Sequence, residues 1–129
     1  MSELSCYILE DSAVIRENLI ATLEEMSPVR VIGSAEDQKT ALHWLQNSEN
    51  HCDVLIADIF LKSGSGLEVL KAVQNLQSVG KRVVLTNYAT VDIRRRCLEL
   101  GADKVFDKSG EIEGLINYCT ELANENGSH

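Results

Sequence analysis

Val54-Leu55-Ile56-Ala57-Asp58 is the stretch that decides the fold. Four apolar residues run into a carboxylate, and the turn-rich Ile59-Phe60-Leu61-Lys62-Ser63-Gly64-Ser65-Gly66 follows at once. A short apolar run bounded by turn residues reads as a strand buried on both faces, the kind found in parallel sheets. Its last residue then stands at the carboxyl edge of the sheet, where open α/β folds bind their ligands. Alone, Asp58 reads as a turn residue at least as well as a working carboxylate. The ends of the other strands separate the two readings.

Outward from this stretch the same unit repeats in pattern, though not in sequence. Leu4 to Leu9 is an apolar-rich run that finishes on Glu10-Asp11. Ser12 opens a helix whose Ile15, Leu19, Leu23 and Met26 share one face, and Pro28 stops it. Val29 to Gly33 reads as a second strand, and Asp37 as the N-cap of a helix burying Ala41, Leu42 and Leu45, with Trp44 packed beside them. Beyond the central strand, Ser65 caps a third helix with Leu67, Leu70 and Val73 inward, and Gly80 marks its exit. Arg82 to Thr86 is strand four. Thr90 starts a helix with Ile93, Cys97 and Leu100 inward, closed by Gly101. Lys104 to Phe106 is strand five, and a last helix buries Ile112, Leu115, Ile116, Cys119 and Leu122. Alternating strands and helices predict a doubly wound, five-stranded parallel sheet of order 2-1-3-4-5 with five helices, a flavodoxin-like α/β fold.

At 129 residues the chain suffices for one domain with its own core, here residues 1–124, and shows no linker or second domain. Residues 125–129 read as a disordered tail, tag-like in its closing Asn126-Gly127-Ser128-His129. The formal charge of −8 argues against direct nucleic-acid binding, which needs clustered Lys and Arg. Without a basic leader or an apolar run of about 18 residues, membrane insertion is not expected and a cytoplasmic location is. Cys6, Cys52, Cys97 and Cys119 are scattered, without CxxC or His spacing, and read as reduced core fillers.

Right-handed crossovers gather the strand ends at one edge: Glu10 and Asp11, Asp58, Thr86, and Lys108 just after strand five. Carboxylates meeting there repel unless a cation lies between them. A hard divalent ion with oxygen ligands, Mg²⁺, suits the set. An ammonium and a hydroxyl donor beside it suit the oxygens of a phosphoryl group carried to Asp58.

With these residues in place, residues 4 to 124 resemble the receiver domain of two-component response regulators. The resemblance implies that Asp58 is the phosphoacceptor and that Thr86 and Lys108 are the phosphoryl-sensing pair. It implies that Asp11, Asp58 and the Phe60 carbonyl bind Mg²⁺, with Glu10 acting through water. It further implies a phosphohistidine donor, either a sensor histidine kinase or a His-phosphotransfer protein. A downstream protein would read the face of helix four, strand five and helix five, with a homodimer as one form of that contact. Such a domain catalyses its own phosphoryl acceptance and hydrolysis and is not a conventional turnover enzyme.

The chain also departs from the family pattern. Lys62 replaces the proline usual four residues after the phosphoacceptor, and Ser109 the one usual after the lysine. Asn87 stands at a usually small position, followed by Tyr88, and Val105 takes the place of an aromatic switch residue, with Phe106 one residue later on the opposite face. Asn87, Tyr88 and Val105 are therefore the expected gating positions. A dehalogenase-type phosphatase would need a carboxylate where Phe60 stands, and a dinucleotide fold a glycine-rich loop where Glu10-Asp11-Ser12 stands. Two other readings keep the fold: an interaction module working without phosphorylation, and the excised receiver of a longer DNA-binding regulator. Arg94-Arg95-Arg96 reads as a charged face with only part of the triplet turned inward.

Overall fold

The central strands are apolar on both faces because helices cover both. A computed structural model describes residues 3–127. Strands β1 (Leu4–Leu9), β2 (Val29–Ala35), β3 (Cys52–Ala57), β4 (Val79–Thr86) and β5 (Lys104–Asp107) form a parallel sheet of order β2-β1-β3-β4-β5. Among the described residues, helices α1 (Ala13–Met26), α2 (Gln38–Leu45), α3 (Gly66–Ala72), α4 (Val91–Glu99) and α5 (Ile112–Gly127) alternate with the strands. The expected architecture is the observed one. On one face Ile8, Val54, Ile56 and Leu85 pack with Leu19 and Leu23 of α1 and Leu115 and Cys119 of α5. On the other, Tyr7 and Leu55 meet Ala41 and Leu45 of α2 and Val69 of α3, and Val84 and Val105 meet Cys97 of α4.

Local sequence sets the helix starts. Ser12, Asp37, Ser65 and Thr90 each turn a side-chain oxygen onto a backbone N–H of the first helical turn, satisfying donors that have no intrahelical partner. Trp44 stacks on Tyr7 with ring centroids 4.4 Å apart, a packing role. All four cysteines are free and buried, and burial raises the thiol of Cys119 to about 11.

Several boundaries differ from the sequence reading. In α1 only Leu19 and Leu23 of the apolar face are buried, whereas Ile15 is 39% and Met26 59% exposed. β2 continues to Ala35, and β4 begins at Val79 rather than Arg82. Gly80 therefore lies inside a strand and marks no helix exit. Its glycine has another cause: a Cβ there would stand 2.3 Å from the Asp53 carbonyl oxygen on β3. Arg82 is buried with its guanidinium on the carbonyls of Gln74, Leu76 and Val79, where it ties down the chain leaving α3. Helix α5 runs through Gly127, three residues into the stretch read as tail; Ser128 and His129 lie outside the described residues.

Candidate functional site

Sheet register builds the site. Leu9 pairs with Ala57, so Glu10 and Asp58 leave their strands side by side, and the Asp58 N–H still reaches the Leu9 carbonyl at 2.9 Å. Thr86 pairs with Asp107, and the Lys108 N–H donates to the Thr86 carbonyl at 3.0 Å. The residue after β5 is thereby placed over the carboxylates. The Lys108 ammonium donates to Asp58 Oδ2 at 2.7 Å and to Glu10 Oε1. These side chains are only 10%, 9% and 3% exposed, so the contacts lie in a region of low dielectric and charge matters more than at a surface. Burial alone would lower the Lys108 pKa. Its hydrogen bonds and charge contacts with Asp58 and Glu10 outweigh this and leave it raised.

Backbone donors hold the other carboxylate oxygens. Glu10 Oε2 accepts the Ser12 N–H at 3.0 Å, Asp58 Oδ1 the Phe60 N–H at 3.3 Å, and Asp11 Oδ2 the Lys62 N–H at 2.7 Å. Glu10, Asp11 and Asp58 each offer a ligand oxygen, all within 4.8 Å of one another. Three acid groups converging on one point, with only one ammonium among them, make a donor set that fits a hard divalent cation. The residues present thus fit the Mg²⁺ that the sequence implies.

The remaining expected site residues ring this centre. Thr86 is fully buried, and its Oγ1 accepts the Tyr88 N–H at 3.2 Å. Tyr88 is 60% exposed and meets the half-exposed Phe60 edge to face at 4.9 Å. Asn87 is exposed and, with Lys108, Ile15, Leu19, Leu85 and Ile112, lines a groove of about 370 Å³ between α1 and α5. Val105 is buried against Val84 and Cys97, while Phe106 faces the other layer near Tyr118, as strand alternation requires.

Three contacts were not expected from the sequence. Arg16 caps the Glu10 carbonyl at 2.8 Å. The Lys62 amide reaches Asp11 across 51 residues of chain. Arg94 turns inward, with its guanidinium donating to the carbonyls of Ala89 (3.0 Å) and Val105 (2.9 Å) and to Glu111 Oε1 (2.7 Å). It links the loop after β4, strand β5 and the entry to α5. The Arg94 guanidinium is also the main reason the Glu111 carboxyl sits below its ordinary pKa. A basic triplet gave no sign of which member turns in. Arg95 and Arg96 are the exposed ones.

Comparison with known proteins bears on the family and the fold. The response regulator receiver domain model matches residues 6–120. The chain is 32% identical over 126 residues to a protein-glutamate methylesterase/protein-glutamine glutaminase of Azospirillum brasilense, a match covering 92% of this chain and 31% of that protein. It is 32% identical over 111 residues to the uncharacterized transcriptional regulatory protein YvfU of Bacillus subtilis, covering 86% of this chain and 54% of that one. It thus spans about a third to a half of these relatives. Among solved structures, the signal receiver domain of the putative response regulator NarL from Mycobacterium tuberculosis superposes with a TM-score of 0.82 at 19% identity, covering 96% of this chain and 98% of that one. A Burkholderia pseudomallei response regulator with a phosphorylated aspartic acid and a calcium ion superposes with a TM-score of 0.78 at 22% identity, covering 98% and 72%. No helix among the described residues is long and apolar enough to cross a membrane.

Proposed function

Because the chain belongs to the response regulator receiver domain family, we propose that Asp58 accepts a phosphoryl group from the phosphohistidine of a partner kinase or phosphotransfer protein, with Mg²⁺ bound by Asp11, Asp58 and the Phe60 carbonyl and contacted by Glu10 through water. The observation that carries this reading is the ammonium of Lys108 held against Glu10 and Asp58 beside a third, unneutralised carboxylate. In the transfer an Asp58 oxygen bonds to phosphorus while the P–N bond breaks, its electron pair returning to the donor imidazole. Bound Mg²⁺ supplies positive charge for the phosphoryl oxygens. Lys108 neutralises a further oxygen, and the Thr86 hydroxyl donates to another once it leaves the Tyr88 amide. The test is intact-mass measurement after incubation with a small phosphodonor. One added phosphoryl group with Mg²⁺ and none in chelator is the expected result; equal labelling in both would remove the metal from the reaction.

The donor protein has a groove to occupy beside the site, its apolar part lined by Ile15, Leu19 and Ile112. We place this chemistry in the cytoplasm. Output goes to another protein through the α4-β5-α5 face, where the exposed Arg96, and Arg95 in its surface pair with Asp92, are the cations offered to an acidic partner or a second copy. The transcriptional regulators among the relatives favour a second reading of output, a DNA-binding segment of a longer regulator controlled by the same Asp58 chemistry.

Two expectations follow from the ring of residues around Asp58. An acyl phosphate is lost when water reaches phosphorus in line with the leaving carboxylate, and the Phe60–Tyr88 pair screens that approach. Replacing both with Ser is expected to speed decay about tenfold, corresponding to about 1.4 kcal/mol of barrier; decay followed by loss of the mass adduct at an unchanged or slower rate would refute the screen. The second concerns signalling. Val105 is β-branched and buried among aliphatic neighbours, so it has no ring to swing. Movement of Thr86 instead pulls on the Tyr88 amide it holds and on the Ala89 carbonyl gripped by Arg94. Amide exchange is expected to change from Thr86 to Thr90 on phosphorylation. Tyr88→Ala should uncouple partner binding from phosphorylation, whereas Val105→Ala should cost about 2 kcal/mol of packing without uncoupling it. Control by Val105 with Tyr88 silent would reverse the assignment.

A further inference from the structure

Asp11 differs from its two acidic neighbours in how it is held. Lys108 bridges Glu10 and Asp58. Asp11 makes a single hydrogen bond among the described residues, from the Lys62 backbone N–H to Oδ2 at 2.7 Å. A carboxylate on the loop after a strand has two free side-chain torsions, and one fixed donor removes most of that freedom. The donor is itself fixed. Its loop is closed by the antiparallel bridge between Phe60 and Ser65. It is braced on α2, where Gln38 Oε1 accepts the Ser65 N–H at 2.9 Å and the Gln38 N–H reaches the Ser63 carbonyl at 3.3 Å. Gly64, at φ +84°, supplies the left-handed step that lets the loop lie so close to Gln38.

We propose that the Lys62 backbone amide is a positioning group for the divalent cation: it pins one oxygen of Asp11 so that this carboxylate faces Glu10 and Asp58 before the ion arrives. The inference rests on the Mg²⁺ reading of the acidic cluster. It concerns the amide and not the ammonium of Lys62, whose side chain lies on the exposed loop. Groups that orient metal ligands typically change affinity tenfold or more when lost, and the same order is expected here.

The test separates amide from side chain. Lys62→Ala keeps the N–H and Lys62→Pro deletes it. Mg²⁺ titrations by calorimetry, without any phosphodonor, are expected to give wild-type affinity for Lys62→Ala and about tenfold weaker binding for Lys62→Pro. Unfolding midpoints in chelator report whether the proline has altered the fold itself. Equal affinity in Lys62→Pro and wild type overturns the proposal while leaving the metal site standing. Failure of the wild type to bind Mg²⁺ overturns both. Should Lys62→Pro not fold, hydrogen exchange decides: the Lys62 amide is expected to be protected in the wild type and to exchange about tenfold faster or more in Asp11→Ala. Unchanged protection there removes the contact on which the proposal stands.

Discussion

Asp58→Asn is expected to abolish the Mg²⁺-dependent mass increase completely while leaving the fold intact. The amide oxygen of Asn has neither the charge nor the basicity to attack phosphorus, and among the described residues the two neighbouring acids are held by other partners. Glu10 is held by both Lys108 and the Ser12 amide, and Asp11 faces the Lys62 amide. The fold survives because two effects oppose each other. Lys108 loses one of its two carboxylate partners, but the acidic cluster also loses one of three mutually repelling charges. Breaking a buried pair outright costs about 3–5 kcal/mol; with Glu10 still in place, the net change is expected to stay within about 1 kcal/mol. The pH dependence gives an independent check. Lys108 has a folded pKa above its unfolded value, so it contributes stability that is fully present below about pH 10.4. That stability is lost as pH rises through the folded value. Denaturant unfolding between neutral and alkaline pH should show a shallower alkaline fall in Asp58→Asn than in the wild type. Persistent labelling of the variant, or an identical alkaline slope, would overturn the assignment of Asp58 and its pairing with Lys108.

The gathering of Glu10, Asp11, Asp58 and Lys108 at one sheet edge was legible in the sequence because parallel register is rigid. Once Leu9 and Ala57 end apolar runs, the residues after them share an edge, and Thr86 and Lys108 fall in by the same count. Contacts that depend on which way one side chain turns were not legible. Arg94, Arg95 and Arg96 are chemically alike, and only the positions of Ala89, Val105 and Glu111 select the first of them. Ile15 and Met26 satisfy the helical period that buries Leu19 and Leu23, yet α1 covers the sheet with a stripe too narrow for all four. Gly80 shows a different ambiguity. A glycine near a helix end reads as a cap, but this one is required by the closeness of β3, which no local pattern reveals.

Gly66→Ala brings fold and site together, because two opposing effects set its sign. Gly66 opens α3, where helix propensity alone favours Ala by about 1 kcal/mol. Against this, a Cβ at that position would stand 2.1 Å from the Asp58 carbonyl oxygen and 2.8 Å from the Ile59 Cα. Both are backbone atoms, and neither yields readily. The Asp58 N–H is bonded to Leu9 on β1, the Gly66 N–H donates to the Ile59 carbonyl at 3.1 Å, and the Asp58 side chain is held by Lys108. Overpacking of this kind costs about 1–3 kcal/mol where flexible side chains give way, and more where they do not. The net loss expected is therefore about 3 kcal/mol, read as a lower midpoint in denaturant unfolding. Because the struck atom belongs to the phosphoacceptor, any relief of the clash moves Asp58 relative to Lys108, and phosphoryl acceptance should slow in the fraction that remains folded. Two other glycines make the comparison decisive. At Gly110 an added Cβ meets nothing within 4 Å, so Gly110→Ala should leave stability and labelling near wild type. At Gly80 the Cβ would meet the Asp53 carbonyl at 2.3 Å, at the opposite end of β3 from Asp58, so Gly80→Ala should destabilise as strongly yet label at the wild-type rate wherever it is folded. If Gly66→Ala labels as fast as Gly80→Ala at equal folded fraction, the close packing of α3 on Asp58 serves stability alone and does not set the position of the phosphoacceptor.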